Sequence, residues 1–405
     1  MTIFEILQTV MTVYATFWAL YLLLFPFIAS LWRSRGKTIE GMRDGQWPTM
    51  AIIMPARNMS GVIAKSIGSL QDCHYPMEKV DTYVIADHCS DDTAKCAESA
   101  GATALIRNEG LPGKTYALAW ALEVLRVRGV APELYVIVDA TVELEPNFLT
   151  ALAKRWQQGE DVITSHSRVS AESHAWYARC LGLMLVHRNL QNWSREQLGL
   201  SALLEGRGMA YSQAYVQRYG WHLALPAPNS GFHPTEDWRH AVRAVEQGYR
   251  VAFAQDSCIA TPLRNSLIEA TKQGSRWERG RMVNAGTYAL RLLIRGLWQR
   301  DVLKIFAALD AIQPPVAILG GLSLGLAATS AFVPSASLVR ITPFIPLTLV
   351  VLYGLEVVHR GRREGIGLAA IIWAPLYIAW RCTIFVFAWG FLDRVRLGRP
   401  QRGVG

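Results

Sequence analysis

Thr82-Tyr83-Val84-Ile85-Ala86-Asp87 and Leu134-Tyr135-Val136-Ile137-Val138-Asp139 are the two stretches that decide the fold of this 405-residue chain. Each is a short apolar run that stops on an aspartate, and a run of that length reads as a buried strand. Working outward, Ala51–Pro55 is another short apolar run and Gly61–Gln71 has helical spacing. Asp91 or Asp92 can cap a helix that runs through Ala100. Thr103–Ile106 makes a further strand and Lys114–Arg128 a helix. Strand–helix units repeated at this length build a parallel sheet with helices on both faces. Ligands of such sheets bind beyond the carboxyl ends of the strands, where Asp87 and Asp139 both stand. Pro146 is placed as the first residue of the next helix.

Beyond about residue 160 the pattern is less regular. A helix over Ala175–Gln197 carries Trp176 and Trp193, and Leu203–Tyr211 reads as an extended segment with a glycine turn. Another helix opens near Glu236. Residues 264–303 form an amphipathic, arginine-rich stretch with Trp277, Leu292, Leu293 and Trp298, the pattern of an interfacial helix pair.

Hydrophobic residues make up 51% of the chain and are concentrated at its ends. Residues 9–31 carry no charge and are long enough to cross a bilayer, which takes roughly 20 apolar residues. The run is too long for a signal peptide, and no basic segment precedes it. Three more candidate spans lie at about 313–333, 338–358 and 366–392, rich in Pro and Gly as suits packed membrane helices. The resulting units are 1–36, a membrane helix; 37–263, an α/β domain; 264–304, interface helices; and 305–405, membrane helices with a basic tail.

The net charge of +9 is placed for a membrane rather than for nucleic acid. Arg33, Arg35 and Lys37 follow the first apolar segment, and Arg360, Arg362 and Arg363 follow a later one. The positive-inside rule then puts the middle of the chain on the cytoplasmic side of a bacterial-type inner membrane, with a basic surface toward anionic headgroups. There is no basic–aromatic signature of nucleic-acid binding. Two topologies compete. If every candidate spans, Arg394, Arg396, Arg399 and Arg402 lie outside, against the charge rule; if 381–396 lies along the inner surface, with Arg381 at headgroup level, the segment before it is too short to return the chain. The six cysteines show no CxxC spacing and read as free thiols in a reducing compartment.

Five positions carry candidate chemistry. A carboxylate at the end of a strand, such as Asp87, can accept hydrogen bonds from the uracil imide or ribose hydroxyls of a nucleotide, whereas Asp91 and Asp92 read as helix caps. Asp139 can supply one oxygen to a divalent ion bridging a diphosphate. Lys114, after Pro112-Gly113 at a helix start, can meet phosphate as a point charge beside backbone N–H groups. In Thr235-Glu236-Asp237-Trp238, Asp237 is a candidate general base for an attacking hydroxyl, and direct displacement with one such base inverts the anomeric centre. The same acids also favour the dipole of the helix they open. In Gln273-Gly274-Ser275-Arg276-Trp277, Gln273 and Trp277 are one turn apart and share a face. Arg276 beside them can neutralise a leaving diphosphate, and the indole offers a flat platform for a sugar ring. On an amphipathic helix both residues also read as interface anchors. His166, His174, His187 and His240 read as ordinary surface or helix residues without zinc spacing, and hydrolase motifs are absent.

As an ordered set these residues resemble the processive, membrane-embedded family 2 glycosyltransferases, which include the cellulose, hyaluronan, chitin and poly-N-acetylglucosamine synthases. That family's pattern is an aspartate after the second strand, a DxD after the fourth, a TED tripeptide and QxxRW. The matches here are Asp87, Asp139, Thr235-Glu236-Asp237, and Gln273 with Arg276 and Trp277. Pro55-Ala56-Arg57-Asn58 and Gly113-Lys114 with Ala117-Leu118 also look like that family, and the resemblance covers about 49–285.

The resemblance implies an α/β glycosyltransferase-A fold with a Rossmann-like mixed sheet, a UDP-sugar donor, and a Mg²⁺ or Mn²⁺ ion. It assigns Pro55, Arg57, Asp87, Lys114 and Asp139 to the nucleotide sugar, with Asp139 also on the metal. Asp237 is the implied base, while Glu236, Gln273, Arg276 and Trp277 hold acceptor and diphosphate. The implied product is a growing β-linked polysaccharide, with passage of the chain between the C-terminal segments.

One departure stands out. Thr141 replaces the second aspartate of DxD, so Glu143 compensates, or Asp139 binds the ion alone, or dependence on metal is weak. Ceramide-type lipid glucosyltransferases resemble the chain in a lone aspartate there, which keeps transfer of a single sugar to a lipid open. The same substitution motivates a third reading, an inactive membrane scaffold. Gly274 also stands where an arginine is often second in QxxRW.

Overall fold

The structure is a computed structural model that describes residues 2–32, 47–170, 175–220, 236–262, 266–332, 338–366 and 368–396. Thr235, His174, Arg33, Arg35, Lys37, Arg399 and Arg402 lie outside these residues, as do the side chains of Glu236, Arg394 and Arg396.

A 29-residue helix, α1 (Ile3–Leu31), precedes an eight-stranded sheet. The strands are β1 (Met50–Ala56), β2 (Val80–Asp87), β3 (Thr103–Arg107), β4 (Leu134–Ile137), β5 (Glu143–Leu144), β6 (Val162–Val169), β7 (Met209–Ser212) and β8 (Val251–Thr261), in the order β3-β2-β1-β4-β7-β6-β8-β5. The first four run parallel, as the strand–helix alternation requires. The other half departs from a purely parallel sheet. β7 lies antiparallel to β4 and β6, β6 and β8 are parallel, and β5 closes the edge antiparallel to β8.

β1 shows why the sheet is buried on both faces. Met50, Ile52 and Met54 pack into one core with α2 (Ile63–Gln71), α3 (Thr93–Ser99) and α5 (Phe148–Gln157). The alternate residues Ala51 and Ile53 pack into a second core with α4 (Lys114–Val127), α7 (Gln213–Tyr219) and α8 (Glu236–Glu246). The period-two alternation of a strand feeds both layers. Pro146 is not the first helical residue: α5 opens at Phe148 after Asn147, and the Pro146 carbonyl instead accepts the His74 N–H at 2.7 Å. That bond ties Pro146 into the turn leading to the helix.

The remaining helices form the apolar part. They are α6 (Trp176–Gln197), α9 (Leu267–Asn284), α10 (Leu290–Gln299), α11 (Val302–Ile312), α12 (Val316–Thr329), α13 (Leu338–Ile341), α14 (Phe344–Arg363), α15 (Ala369–Ile372) and α16 (Ala374–Arg396). One π-helical turn, Ala285–Ala289, joins α9 to α10. Two helical stretches, Ile3–Leu31 and Val339–Arg363, are long and apolar enough to cross a membrane. The pair α11 and α12, bent by 62°, makes a third if taken as one span. Its break falls at Gln313-Pro314-Pro315, where two prolines remove helical N–H donors. The segment expected to span at 313–333 corresponds to the second limb of this bent pair. The apolar part of α16, Ala374–Ala388, is shorter.

α6 joins the two parts. Val186 and Leu190 pack against Trp18 and Leu22 of α1, Leu319 of α12 and Tyr353 of α14. Arg195, fully buried on α6, pairs with Asp310 of α11, which also accepts from the Tyr21 hydroxyl at 3.1 Å.

Candidate active site

The sheet delivers Asp87 and Asp139 to adjacent strand ends, because β2 and β4 flank β1 in parallel. Asp87 is 4% exposed. Its Oδ1 accepts from Arg107, its register partner on β3, and lies 2.9 Å from His88 Nδ1. Its Oδ2 accepts the Gly113 N–H at 2.8 Å. Burial alone would raise this carboxyl, but the bonds from Gly113, His88 and Arg107, with the Arg107 charge, hold it below the usual carboxylate range. Asp87 thereby pins the loop that feeds α4. Gly113 takes φ +136° there, a backbone setting that favours glycine, and Lys114 begins the helix.

Lys114 is the hub of the site. Its Nζ donates to Asp139 Oδ1 at 2.6 Å and to the carbonyl oxygen of Gly206. The Gly206 N–H in turn donates to Asp237 Oδ2 at 2.9 Å, and Asp237 Oδ1 accepts the Trp238 N–H at 2.8 Å. Asp139, Lys114, Gly206 and Asp237 therefore form one connected chain at the N-terminus of α8. The glycine turn of Leu203–Tyr211 thereby becomes part of the site, although nothing local to that segment marks it as such. Its role emerges only when β7 places that turn beside β4.

A cavity of about 950 Å³ holds these groups together with the QxxRW residues. Lys114, Asp139, Asp237, Gln273, Arg276 and Trp277 all line it. Four clusters far apart in sequence thus meet in one space. Pro55, Arg57, Asp87, Thr141 and Glu143 do not line it. Pro55 is the penultimate residue of β1, paired with β2, Arg57 follows the strand exposed, and Asp87 reaches the cavity only through Gly113. Glu143 forms an ion pair with Lys65 at 2.8 Å.

Two further basic groups belong to the site, Arg281 and Arg381. Arg281 and Arg381 share the buried Glu278, and Arg281 Nη1 donates at 2.9 Å to the Gln313 carbonyl at the helix break. All three line the cavity. A charge inside an apolar C-terminal segment was the available signal for Arg381. Instead of lying free at a headgroup boundary, it is 5% exposed and paired with α9. Gly274 makes that approach possible: a Cβ there would stand 2.9 Å from Arg381 Nη1. This accounts for glycine where an arginine is frequent. The far walls of the cavity are apolar, with Val350, Leu355, Ile371 and Ile378 among them.

A divalent ion fits this donor set poorly. Asp139 is the lone acid of its turn, Thr141 follows it, and its Oδ1 already holds an ammonium. Among the described residues no group of three or more His, Cys, Asp or Glu side chains can hold a metal.

The mixed sheet with its strand-end acids, and the cavity opening toward apolar helices, define a glycosyltransferase of the GT-A fold. Residues 48–280 match the Glycosyltransferase like family 2, more than half of the chain, and the protein belongs to that family, a nucleotide-sugar-dependent glycosyltransferase. It is similar in structure to the mannosyltransferase PcManGT from Pyrobaculum calidifontis, solved with GDP-Man and Mn²⁺. The TM-score is 0.58 at 15% identity, over 94% of this chain and 97% of that one. It also matches glucosyl-3-phosphoglycerate synthase from Mycobacterium tuberculosis, solved with Mn²⁺, UDP and phosphoglyceric acid. There the TM-score is 0.39 at 22% identity, over 57% of this chain and 76% of that one. No curated protein matches the sequence.

Proposed function

We propose that the protein moves a sugar from a UDP-sugar to a hydroxyl group of a membrane lipid, with inversion at the anomeric carbon and Asp237 as base. The observation that carries this reading is the continuity of the cavity, from Lys114, Asp139 and Asp237 to walls formed by Val350, Leu355 and Ile378 of the apolar helices. A lipid acceptor needs both ends: a polar one where its hydroxyl reacts and an apolar one for its chains.

In this reading Asp237 takes the proton from the acceptor hydroxyl, whose oxygen attacks the anomeric carbon from the side opposite the diphosphate. The bond to the diphosphate oxygen breaks and UDP leaves with the electron pair, its charge met by Lys114 and Arg276. Trp277 supports the sugar ring, and Gln273 and Glu236 orient the acceptor. Pro55 and Arg57, at the end of β1, take the nucleoside, and Asp87 acts on that end of the site by fixing the Gly113 loop. Arg360, Arg362 and Arg363 at the end of α14 favour a cytoplasmic catalytic domain.

A processive polysaccharide product is the second reading, supported by the ring surfaces of Trp277 and Tyr377 in the same cavity. A donor screen in lipid nanodiscs, including UDP-sugars and GDP-mannose, with mass analysis of the product, separates the possibilities. The lipid reading expects one glycolipid carrying one sugar. A ladder of oligomers would replace it with the polymer reading, and no nucleotide release from any donor would leave the inactive scaffold.

A further inference from the structure

Glycosyltransferases of this fold are expected to hold the donor diphosphate through a divalent ion, yet the acid that would bind the ion is engaged otherwise here. From this we infer that Lys114 stands in for the metal: its ammonium, anchored by Asp139 and Gly206, neutralises the donor diphosphate, so nucleotide binding requires no divalent cation. The inference rests on the reading that the donor diphosphate enters this cavity.

Three observations carry it. The first is the donor set. Mg²⁺ demands near-octahedral oxygen ligands and takes one or two carboxylates beside phosphates and water. The turn after β4 offers only Asp139, the minimum for such a site, because Ala140 and Thr141 follow it and Glu143 is paired with Lys65; whether it can serve an ion depends on what already holds it. The second is position. Lys114 Nζ lies 2.6 Å from Asp139 Oδ1, on the carboxylate that would have to serve an ion. An ammonium there repels a divalent ion twice as strongly as a monovalent one.

The third is the support behind Lys114. It begins a 14-residue helix whose N-terminal N–H groups favour anions, and the Gly113 N–H before it is fixed by Asp87. Side-chain exposures of 24% for Lys114 and 32% for Asp139 leave the pair open to a ligand from the cavity. A lysine on a helix start is a phosphate-binding device in its own right, acting as a point charge. Asp139 then serves to orient the lysine rather than to ligate an ion.

The test measures UDP and GDP affinity on the full chain in nanodiscs by calorimetry, in EDTA and in millimolar Mn²⁺ or Mg²⁺. Wild type should bind its preferred nucleotide in EDTA within about two-fold of its affinity with metal. Lys114→Met should lose ten-fold or more, a loss that Mn²⁺ does not restore, while Lys114→Arg keeps most of the affinity by keeping the charge. Thermal melting of each variant checks that it is folded. Loss of wild-type affinity of ten-fold or more in EDTA overturns the inference and leaves the nucleotide-sugar reading standing. Undiminished binding by Lys114→Met also overturns it. Binding of neither nucleotide under any condition would remove the underlying reading with it.

Discussion

Gly206 gives the sharpest handle on the site, because its two backbone groups hold the side chains of Lys114 and Asp237, the proposed phosphate and base groups, and it carries no side chain itself. A Cβ there would lie 3.2 Å from Asp237 Oδ2, 3.7 Å from Asp237 Cγ and 3.4 Å from Lys114 Nζ. These are tips of side chains, so Gly206→Ala is absorbed by displacing them a few tenths of an ångström rather than by moving backbone. The cost to stability should stay within about 1 kcal/mol. The cost to chemistry is larger. A misplacement of about 1 Å can cost roughly 100-fold in rate, so a few tenths should lower kcat about 10-fold, with little change in nucleotide affinity.

Gly208, two residues on, is the contrast. It takes φ +65°, and a Cβ there would fall 2.1 Å from Ser165 Oγ and 3.2 Å from Phe148 Cε2, inside the sheet core. The left-handed backbone costs about 1–3 kcal/mol for a residue with a side chain, and overpacking a further 1–3. Gly208→Ala should therefore lower the melting temperature by several degrees or fail to fold. Measuring nucleotide release from the donor identified in the screen, and thermal melting, for both variants in nanodiscs separates the two roles. Gly206→Ala with wild-type kcat, or melting as low as Gly208→Ala, would refute the assignment of Gly206 to the catalytic chain.

Two other outcomes follow from buried charges. Asp310→Ala leaves the fully buried Arg195 without its carboxylate and should cost about 3–5 kcal/mol, whereas Arg195→Met with Asp310→Leu should be nearly neutral; detergent melting curves would show the difference. His240 on α8 is pushed by burial, with help from Arg239, down to about 3 from 6.5. Between those values the unfolded chain binds the extra proton and the folded one does not. Stability should accordingly fall as pH drops from 6.5 toward 3, and His240→Gln should flatten that slope in urea titrations, while an unchanged slope would contradict it.

Much of the fold was legible because burial on both faces leaves a compositional mark. The runs ending at Asp87 and Asp139 are strands for that reason, and their boundaries stand within a few residues of the reading. Local signals gave out where pairing is long-range. Nothing in Val251–Thr261 announces that it pairs with β6 in parallel and β5 in antiparallel fashion, because those partners are distant in sequence. Pro146 failed as a helix start because a tertiary hydrogen bond to His74 outweighed a positional preference.

The site was legible as residue types and illegible as connections. Asp87, Lys114, Asp139, Asp237 and QxxRW could each be singled out. The chain from Asp139 through Lys114 and Gly206 to Asp237 depends on backbone groups, which leave no trace in composition. Gly274 illustrates the same limit: its smallness has meaning only once Arg381 is seen against it. The bend between α11 and α12 was better marked, since Pro314-Pro315 lay in plain view within an apolar stretch.

Donor turnover by the Asp237→Asn variant bears most directly on the account. Asparagine keeps the size of the side chain and one acceptor oxygen but can no longer take a proton. Single-turnover release of nucleotide from the donor identified in the screen should fall at least about 100-fold in that variant, within the range for loss of a positioned base. Affinity for the matching nucleoside diphosphate should stay within a few-fold of wild type. Release at the wild-type rate with intact binding would mean that the carboxylate of residue 237 does not carry the reaction.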